Sequence, residues 1–116
     1  MPKVLLIDTQ AHILEVLRRK FESEGFDVFS LNTCEAHQEQ VLSFKPDLIV
    51  LGKAPGEGKH LNVLTQELRL STGSPDVPII LITTGFEEEH VADVPHLKMP
   101  FRPSQLMAMA REAVAV

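Results

Sequence analysis

The sequence predicts a single α/β domain built on a doubly wound sheet of parallel strands. Three uninterrupted apolar runs, each bounded by polar or turn-forming residues, are typical of strands buried on both faces; they span residues 4–7, 48–51 and 79–82. Segments with helical spacing of apolar residues alternate with these runs, and parallel strands need helical crossovers of this kind. The length of 116 residues suits one domain with one core.

The first part of the chain predicts a strand at residues 4–7, a helix that ends near Gly25, and a strand at residues 26–31. Asp8 or Thr9 is expected to cap the start of the helix, and glycine is a common stop. The second strand is more polar, which favours an edge position. The helix has an apolar face and a charged face with i,i+4 pairs: Ile13, Leu14, Leu17 and Phe21, and Glu15/Arg19, Arg18/Glu22 and Lys20/Glu24.

The middle of the chain repeats this alternation. A helix at residues 32–44 stops before Pro46 and precedes the third strand at residues 48–51. A helix at residues 59–70 then leads to the fourth strand at residues 79–83.

The last part of the chain predicts three short elements. At most a short helix fits within residues 85–94, and a fifth strand is expected at residues 96–99. A final helix runs from Gln105 to about Val114, and Ser104 is expected to cap it.

The composition restricts the kinds of partner. The chain has 11 basic and 16 acidic residues, a formal net charge of −5, and no basic run longer than residues 18–20. Phosphate binding needs a concentrated positive surface, so nucleic acid is not expected as a direct partner. The single cysteine, Cys34, excludes an internal disulfide and fits a reducing compartment. No apolar stretch is long enough to span a bilayer, and Asp8 interrupts the N-terminal one, so we expect no membrane contact and a cytoplasmic location.

Four segments of the chain, taken in order, are similar to those of a known family. They are residues 4–8 (VLLID), 46–51 (PDLIVL), 78–83 (PIILIT) and 99–101 (MPF). With this order and spacing the chain resembles a response-regulator receiver domain of two-component signalling over nearly all of residues 1–116. The resemblance implies a flavodoxin-like five-stranded sheet of order 2-1-3-4-5 and a cis peptide bond before Pro100. It is compatible with a domain that forms the N-terminal part of a longer protein.

The positions that carry the phosphorylation chemistry of receivers depart from the family's pattern. A receiver accepts a phosphoryl group on an aspartate at the tip of the third strand, where this chain has Gly52. It holds magnesium with two adjacent acids after the first strand, where this chain has Asp8 and Thr9. It has a lysine directly before the proline after the fifth strand, where this chain has Met99, with Lys98 one residue early.

Two further positions of the resemblance concern switching. Thr83 matches the hydroxyl residue that follows the fourth strand in receivers, and His96 stands where the family often has an aromatic residue. The segment from Thr83 to Met99 is shorter than in the family, which implies a shortened fourth helix.

These departures predict a degenerate, or pseudo-receiver, domain. Glycine has no nucleophile, and Mg²⁺ prefers several hard oxygen ligands, so Asp8 alone makes a poor site. Side chains alternate along a strand, so Lys98 is expected to point away from the side on which Met99 lies. We therefore expect no phosphotransfer to this domain, no enzymatic activity, no metal site and no cofactor.

Several of these residues also have a structural interpretation. Asp8 is either the remnant of an acidic site or, as we favour, a helix N-cap. Thr83 can bind an anion or satisfy a loop carbonyl, and Gly52 can admit a ligand close to the backbone or form a tight turn; both alternatives stay open. Asp47 is expected to lie at the entry to the third strand and not to be a displaced phosphoacceptor, because it lies at the other end of that strand.

The last helix suggests an interaction surface. Its apolar residues cover about half of the helix circumference, more than packing on one sheet face needs, although a broad core helix is an equal alternative. Leu106, Ala110 and Ala113 are expected to face the core. The fifth strand and the last helix are predicted to bind a partner signalling protein or a second copy of the chain through Leu97, Met107, Met109 and Val114.

A second functional hypothesis is a small-ligand or metal sensor. Its site would lie at the carboxyl-terminal edge of the sheet, called the crest below, where Asp8, Gly52 and Thr83 end their strands and where open α/β sheets bind ligands. The histidines of the chain show no zinc-binding spacing. The candidate residues are Asp8, His12, Glu57, His60 and Thr83.

Overall fold

The computed structural model describes residues 2–8, 10–31, 43–52, 66, 68–70, 72, 76–83 and 94–114. The strands and the two long helices of these residues are β1 (Lys3–Ile7), α1 (Ala11–Ser23), β2 (Asp27–Leu31), β3 (Leu48–Leu51), β4 (Ile79–Thr83), β5 (His96–Lys98) and α2 (Pro103–Val114).

Parts of two other predicted helices are also described. Residues 43 and 44 are helical and belong to the helix predicted at residues 32–44. Residues 66, 68–70 and 72 are also helical and belong to the helix predicted at residues 59–70, which extends to residue 72, past its predicted end at Leu70. The remainder of both helices, and the shortened fourth helix that the resemblance implies between residues 84 and 93, lie outside the described residues.

The strands of the described residues form one sheet in the order β2-β1-β3-β4-β5, and every neighbouring pair is parallel. This confirms the predicted order, including the edge position of the polar strand β2. Ile7 is level with Leu31 on one side and with Leu51 on the other, and Thr83 is level with Lys98. The carboxyl ends of neighbouring strands therefore reach the crest together.

Alternation along the strands supplies an apolar layer on each face of the sheet. On one face the buried strand residues pack with α1 and α2, and the layer includes Val4, Leu6, Leu48, Val50, Ile80 and Leu97. On the opposite face the layer includes Leu5, Ile7, Ile49, Leu51, Ile79 and Leu81, together with Leu68. The apolar runs are uninterrupted because both faces of the central strands are covered.

Helix α1 confirms the predicted division into an apolar and a charged face. Leu14, Leu17 and Phe21 are buried, and the Phe21 ring packs edge-on against Phe26 with centroids 5.0 Å apart. The predicted ion pairs all form: Glu15–Arg19 at 2.9 Å, Arg18–Glu22 at 2.5 Å and Lys20–Glu24 at 3.2 Å.

Helix α2 begins earlier than predicted. Its first residue is Pro103. Proline suits the first position of a helix, because a backbone N–H there would have no acceptor within the helix, so its absence breaks no hydrogen bond. The Gln105 side chain accepts a hydrogen bond from the Arg102 N–H at 2.7 Å, which is half of a capping box. Ser104 lies inside the helix, so the prediction that it caps a helix starting at Gln105 is wrong.

Asp47 lies directly before β3, as predicted for a strand-entry residue. Its backbone N–H donates to the Lys3 carbonyl at 2.7 Å. Its carboxylate accepts the Lys3 backbone N–H at 2.8 Å. The two residues thereby join β1 and the start of β3 at the amino-terminal edge of the sheet, away from the crest.

Glu24 connects the two long helices. It accepts hydrogen bonds from Lys20, one turn earlier in α1, and from Arg111 of α2, and these bonds lower the pKa of Glu24 below its ordinary value of 4.5. A carboxylate whose pKa is lowered by folding stabilises the folded state above its ordinary pKa. This stabilisation is lost as the pH falls through the folded-state pKa.

We expect Glu24→Gln to weaken the pH dependence of stability on the acid side. Over the window from neutral pH to well below 4.5, the wild type should lose the contribution of these ion pairs, whereas the variant has none to lose. The effect is small because solvent screens exposed pairs. Urea unfolding midpoints at both ends of the window measure it, and Glu112→Gln is the control, because Glu112 forms no ion pair with the described residues. Equal acid sensitivity of Glu24→Gln and the wild type would contradict this expectation.

Candidate functional site

The register of the sheet brings Asp8 and Gly52 side by side at the crest. Asp8 follows β1 and its backbone N–H donates to the Leu31 carbonyl of β2 at 3.2 Å. Gly52 follows β3 and its N–H donates to the Ile7 carbonyl of β1 at 2.7 Å. The parallel ladders thus continue to both residues and fix their backbones relative to each other.

The Asp8 carboxylate is buried and directed inward. The residue is 3% exposed, and its Oδ1 accepts a hydrogen bond from the Gln10 N–H at 2.8 Å. This is a turn made by an aspartate on the backbone two residues ahead. Asp8 is not the helix cap that we favoured: α1 begins at Ala11, and its N-cap is Gln10, which makes no side-chain cap hydrogen bond. Thr9, the alternative cap, lies outside the described residues.

Gly52 lies against this carboxylate. A Cβ added to Gly52 would be 2.0 Å from Asp8 Oδ2 and 2.8 Å from Asp8 Cγ, distances that real Cβ atoms do not show. The backbone of Gly52 is outside the left-handed region, so its φ does not require glycine. Of the two alternatives left open for Gly52, a close approach is present, and it is made by a side chain of the protein itself and not by a ligand.

The tip of β5 follows the predicted alternation. Lys98 is exposed, whereas Met99 is partly buried and packs against the apolar layer beneath α1 and α2. The Met99 N–H donates to the Thr83 carbonyl at 2.7 Å, and the Met99–Pro100 peptide bond is cis, as the resemblance implies. The position before the proline thus presents a thioether to the core, and the ammonium of Lys98 points elsewhere.

The other two positions of the predicted site lie on the neighbouring strands. Thr83 is the last residue of β4 and is partly buried. His96 is the first residue of β5, level with Leu81, and it is partly buried as well. Both residues are placed where the resemblance implies a switch, which the packing by itself does not test.

The predicted interaction surface is largely covered. Leu97 and Met107 are only 8% and 5% exposed and belong to the apolar layer beneath the helices. The prediction that they face a partner is wrong, because the sheet and α1 cover a wider arc of α2 than we assigned to the core. Met109 and Val114 are partly buried against the same layer, and Leu106, Ala110 and Ala113 face it as predicted.

The sensor hypothesis gains no support from the described residues. They contain no group of three or more histidine, cysteine or acidic side chains that could hold a metal ion. Asp8 is buried, whereas His12 is exposed on the first turn of α1. Glu57 and His60 lie outside the described residues, so their part of the hypothesis stays a prediction. Within the same residues, no helix has the length and apolar character needed to cross a membrane.

The contact between Asp8 and Gly52 is the feature of the site that sequence reasoning missed. Both residues were placed at the ends of adjacent strands, so their proximity could have been anticipated from the predicted strand order. The direction of the Asp8 side chain could not, because it depends on the turn that the aspartate forms with Gln10.

Comparisons with known proteins agree with this architecture. No family model matches the chain. The chain is 28% identical over 120 residues to the KDP operon transcriptional regulatory protein KdpE of Escherichia coli (strain K12); the match covers 98% of the chain and 52% of KdpE, so the chain spans about half the length of that relative.

Solved structures give the fold directly. A putative response regulator from Chloroflexus aurantiacus superimposes with a TM-score of 0.83 at 20% identity, covering 100% of both chains. A two-component response regulator from Clostridium difficile superimposes with a TM-score of 0.81 at 22% identity, covering 98% of this chain and 96% of that one. The chain therefore has the flavodoxin-like fold of response-regulator receiver domains, and these likenesses support the receiver resemblance.

Proposed function

We propose that this chain is a receiver-like signalling domain that acts through protein contacts and without being phosphorylated. The signalling role is supported by the fold and by the similarity to KdpE, which is a transcriptional regulatory protein. The absence of phosphorylation is supported mainly by one observation, which is the buried Asp8 carboxylate packed on Gly52.

Three requirements of phosphoryl transfer are unmet at the crest. Gly52 offers no carboxylate nucleophile. Asp8 has one carboxylate oxygen bonded to the Gln10 N–H and the other against Gly52, which leaves it poorly placed as a ligand for a hydrated Mg²⁺. Met99 places an apolar side chain where positive charge is needed to stabilise the transferring group.

A phosphodonor tests this proposal directly. We expect no gain of mass when the protein is incubated with acetyl phosphate and Mg²⁺ and then measured intact by mass spectrometry. A receiver domain with an aspartate at the tip of its third strand, treated in parallel, should gain one phosphoryl group that hydroxylamine removes. A stoichiometric, hydroxylamine-sensitive phosphoryl group on this chain would overturn the proposal.

The partner contact is proposed for the outer side of α2 and the adjoining β5. The partner is a signalling protein or a second copy of the chain. The half-buried Met109 and Val114 lie at the border of the exposed side, which also presents Arg111 and Glu112. Adaptable methionine next to charged groups suits a contact of modest affinity.

A further inference from the structure

We propose that Asp8 is a built-in substitute for the missing side chain at position 52, and that the glycine there is required by the Asp8 carboxylate. This inference concerns the same crest as the proposed function. For its signalling meaning it rests on that function: in a domain that is not phosphorylated, the space beside residue 52 is occupied by a side chain of the protein itself.

The first step is steric. Asp8 Oδ2 lies 2.0 Å from the point where a Cβ of residue 52 would be. Real Cβ atoms essentially never lie closer than 3.0 Å to a non-bonded heavy atom. The carboxylate oxygen therefore fills the volume of the first side-chain atom of any other residue at that position. A glycine that merely formed a turn would have open space there, as Gly25 does, where no atom lies within 4 Å.

The second step is that neither partner can easily withdraw. The backbones of Asp8 and Gly52 are both held by ladder hydrogen bonds, to the Leu31 and Ile7 carbonyls respectively. The Asp8 side chain is buried, and turning it away from Gly52 breaks its hydrogen bond to the Gln10 N–H. Loss of that hydrogen bond costs stability, so the present arrangement is favoured.

The third step is what the contact connects. Gln10 is the N-cap of α1, and Gly52 is the residue that follows β3. Asp8 therefore links the start of a helix to the tip of the central strand through one carboxylate. In this arrangement a side chain of the protein itself joins the two elements at the crest.

A thermodynamic cycle tests the pairing. Gly52→Ala should lower the urea midpoint of unfolding in the wild-type background. In the Asp8→Ala background the same change should lower the midpoint much less. Asp8→Ala removes both atoms that clash and leaves only the Asp8 Cβ, 3.1 Å away. Alanine for glycine at a compatible backbone angle otherwise stabilises by restricting the unfolded chain.

Gly25→Ala is the matched control. Gly25 has a φ of 89° and open space around its Cβ position, so its replacement costs stability through backbone strain alone. That loss should be the same with and without Asp8, because α1 separates the two sites and distant changes are additive. Equal midpoint losses for Gly52→Ala in both backgrounds would overturn the inference.

A second measurement covers the case in which Asp8→Ala fails to fold. In Gly52→Ala, displacement of the carboxylate should remove the hydrogen-exchange protection of the Gln10 amide, whereas Gly25→Ala should leave it intact. Unchanged protection in Gly52→Ala would contradict the inference. The two proposals also fail separately: a phosphoryl group on the wild type defeats the proposed function but not the cycle, and an additive cycle defeats only the inference.

Discussion

Gly52→Asp is expected to destabilise the protein by about 3–5 kcal/mol, the usual cost of an uncompensated buried charge, and not to restore a phosphoacceptor. The new side chain would begin 2.0 Å from Asp8 Oδ2, at a residue that is itself buried. Two carboxylates would then compete for one space and repel each other at short range. Urea unfolding gives the loss of stability, and intact mass after treatment with acetyl phosphate and Mg²⁺ tests phosphorylation.

Lys98→Asp is the control for Gly52→Asp. It adds a carboxylate to an exposed residue of the same crest and should change stability by no more than about 0.5 kcal/mol. Removing the competing group, in the double variant Asp8→Ala/Gly52→Asp, should recover part of the lost stability. A single variant Gly52→Asp that is as stable as the wild type and takes up a phosphoryl group would contradict our account of the crest.

Met107→Glu is expected to cost about 3–5 kcal/mol, because it places a charge without a partner in the core layer beneath α2. Met107 is 5% exposed and packs with Leu106 and Ala110 in that layer. Met109→Glu should cost much less, since Met109 is only partly buried and its variant can direct the carboxylate to solvent. Urea unfolding of both variants measures the difference.

Measuring self-association as well as stability distinguishes the structural role of Met107 from the proposed role of α2 in binding a partner. If α2 contacts a second copy of the chain, sedimentation should show weaker self-association for Met109→Glu at nearly unchanged stability. Val16→Glu, on the 56% exposed Val16 of α1, is the control and should alter neither property. A stable Met107→Glu that loses only association would instead return Met107 to the interaction surface.

The strands of the sheet were predictable because their sequences leave few alternatives. The runs at Leu48–Leu51 and Ile79–Thr83 match the predicted strands residue for residue. A strand that is covered on both faces needs an uninterrupted run of apolar residues. A run of four or five such residues is too short to be a typical buried helix, so a strand is the better assignment. The polar character of β2 likewise indicated its place at the edge.

The starts of the helices were less predictable, because capping preference does not fix where a helix begins. Asp8 has a favoured capping side chain, yet it binds the Gln10 N–H and leaves the N-cap position to Gln10. Ser104 was predicted to cap a helix that starts at Gln105, whereas the helix starts at Pro103, and proline suits the first helical position. At α1 the favoured capping residue is thus not the one at the helix start, and at α2 two local preferences pointed to different starts.

The extent of the core around α2 depends on tertiary packing. Periodicity correctly placed Leu106 and Ala110 against the sheet. It could not show that α1 also approaches α2, because the contact between Glu24 and Arg111 joins residues far apart in sequence. Met107, which from periodicity alone looks available to a partner, is buried in the apolar layer that α1, α2 and the sheet share.

The reciprocal hydrogen bonds between Lys3 and Asp47 have a consequence for how the sheet can move. They fasten β1 to β3 at one end, while the Gly52 N–H and the Ile7 carbonyl fasten the same two strands at the other. Sliding of β1 along β3 would break bonds at both ends of the pair at once. The register of these two strands, and with it the alignment of Asp8 beside Gly52, is thus fixed at two points.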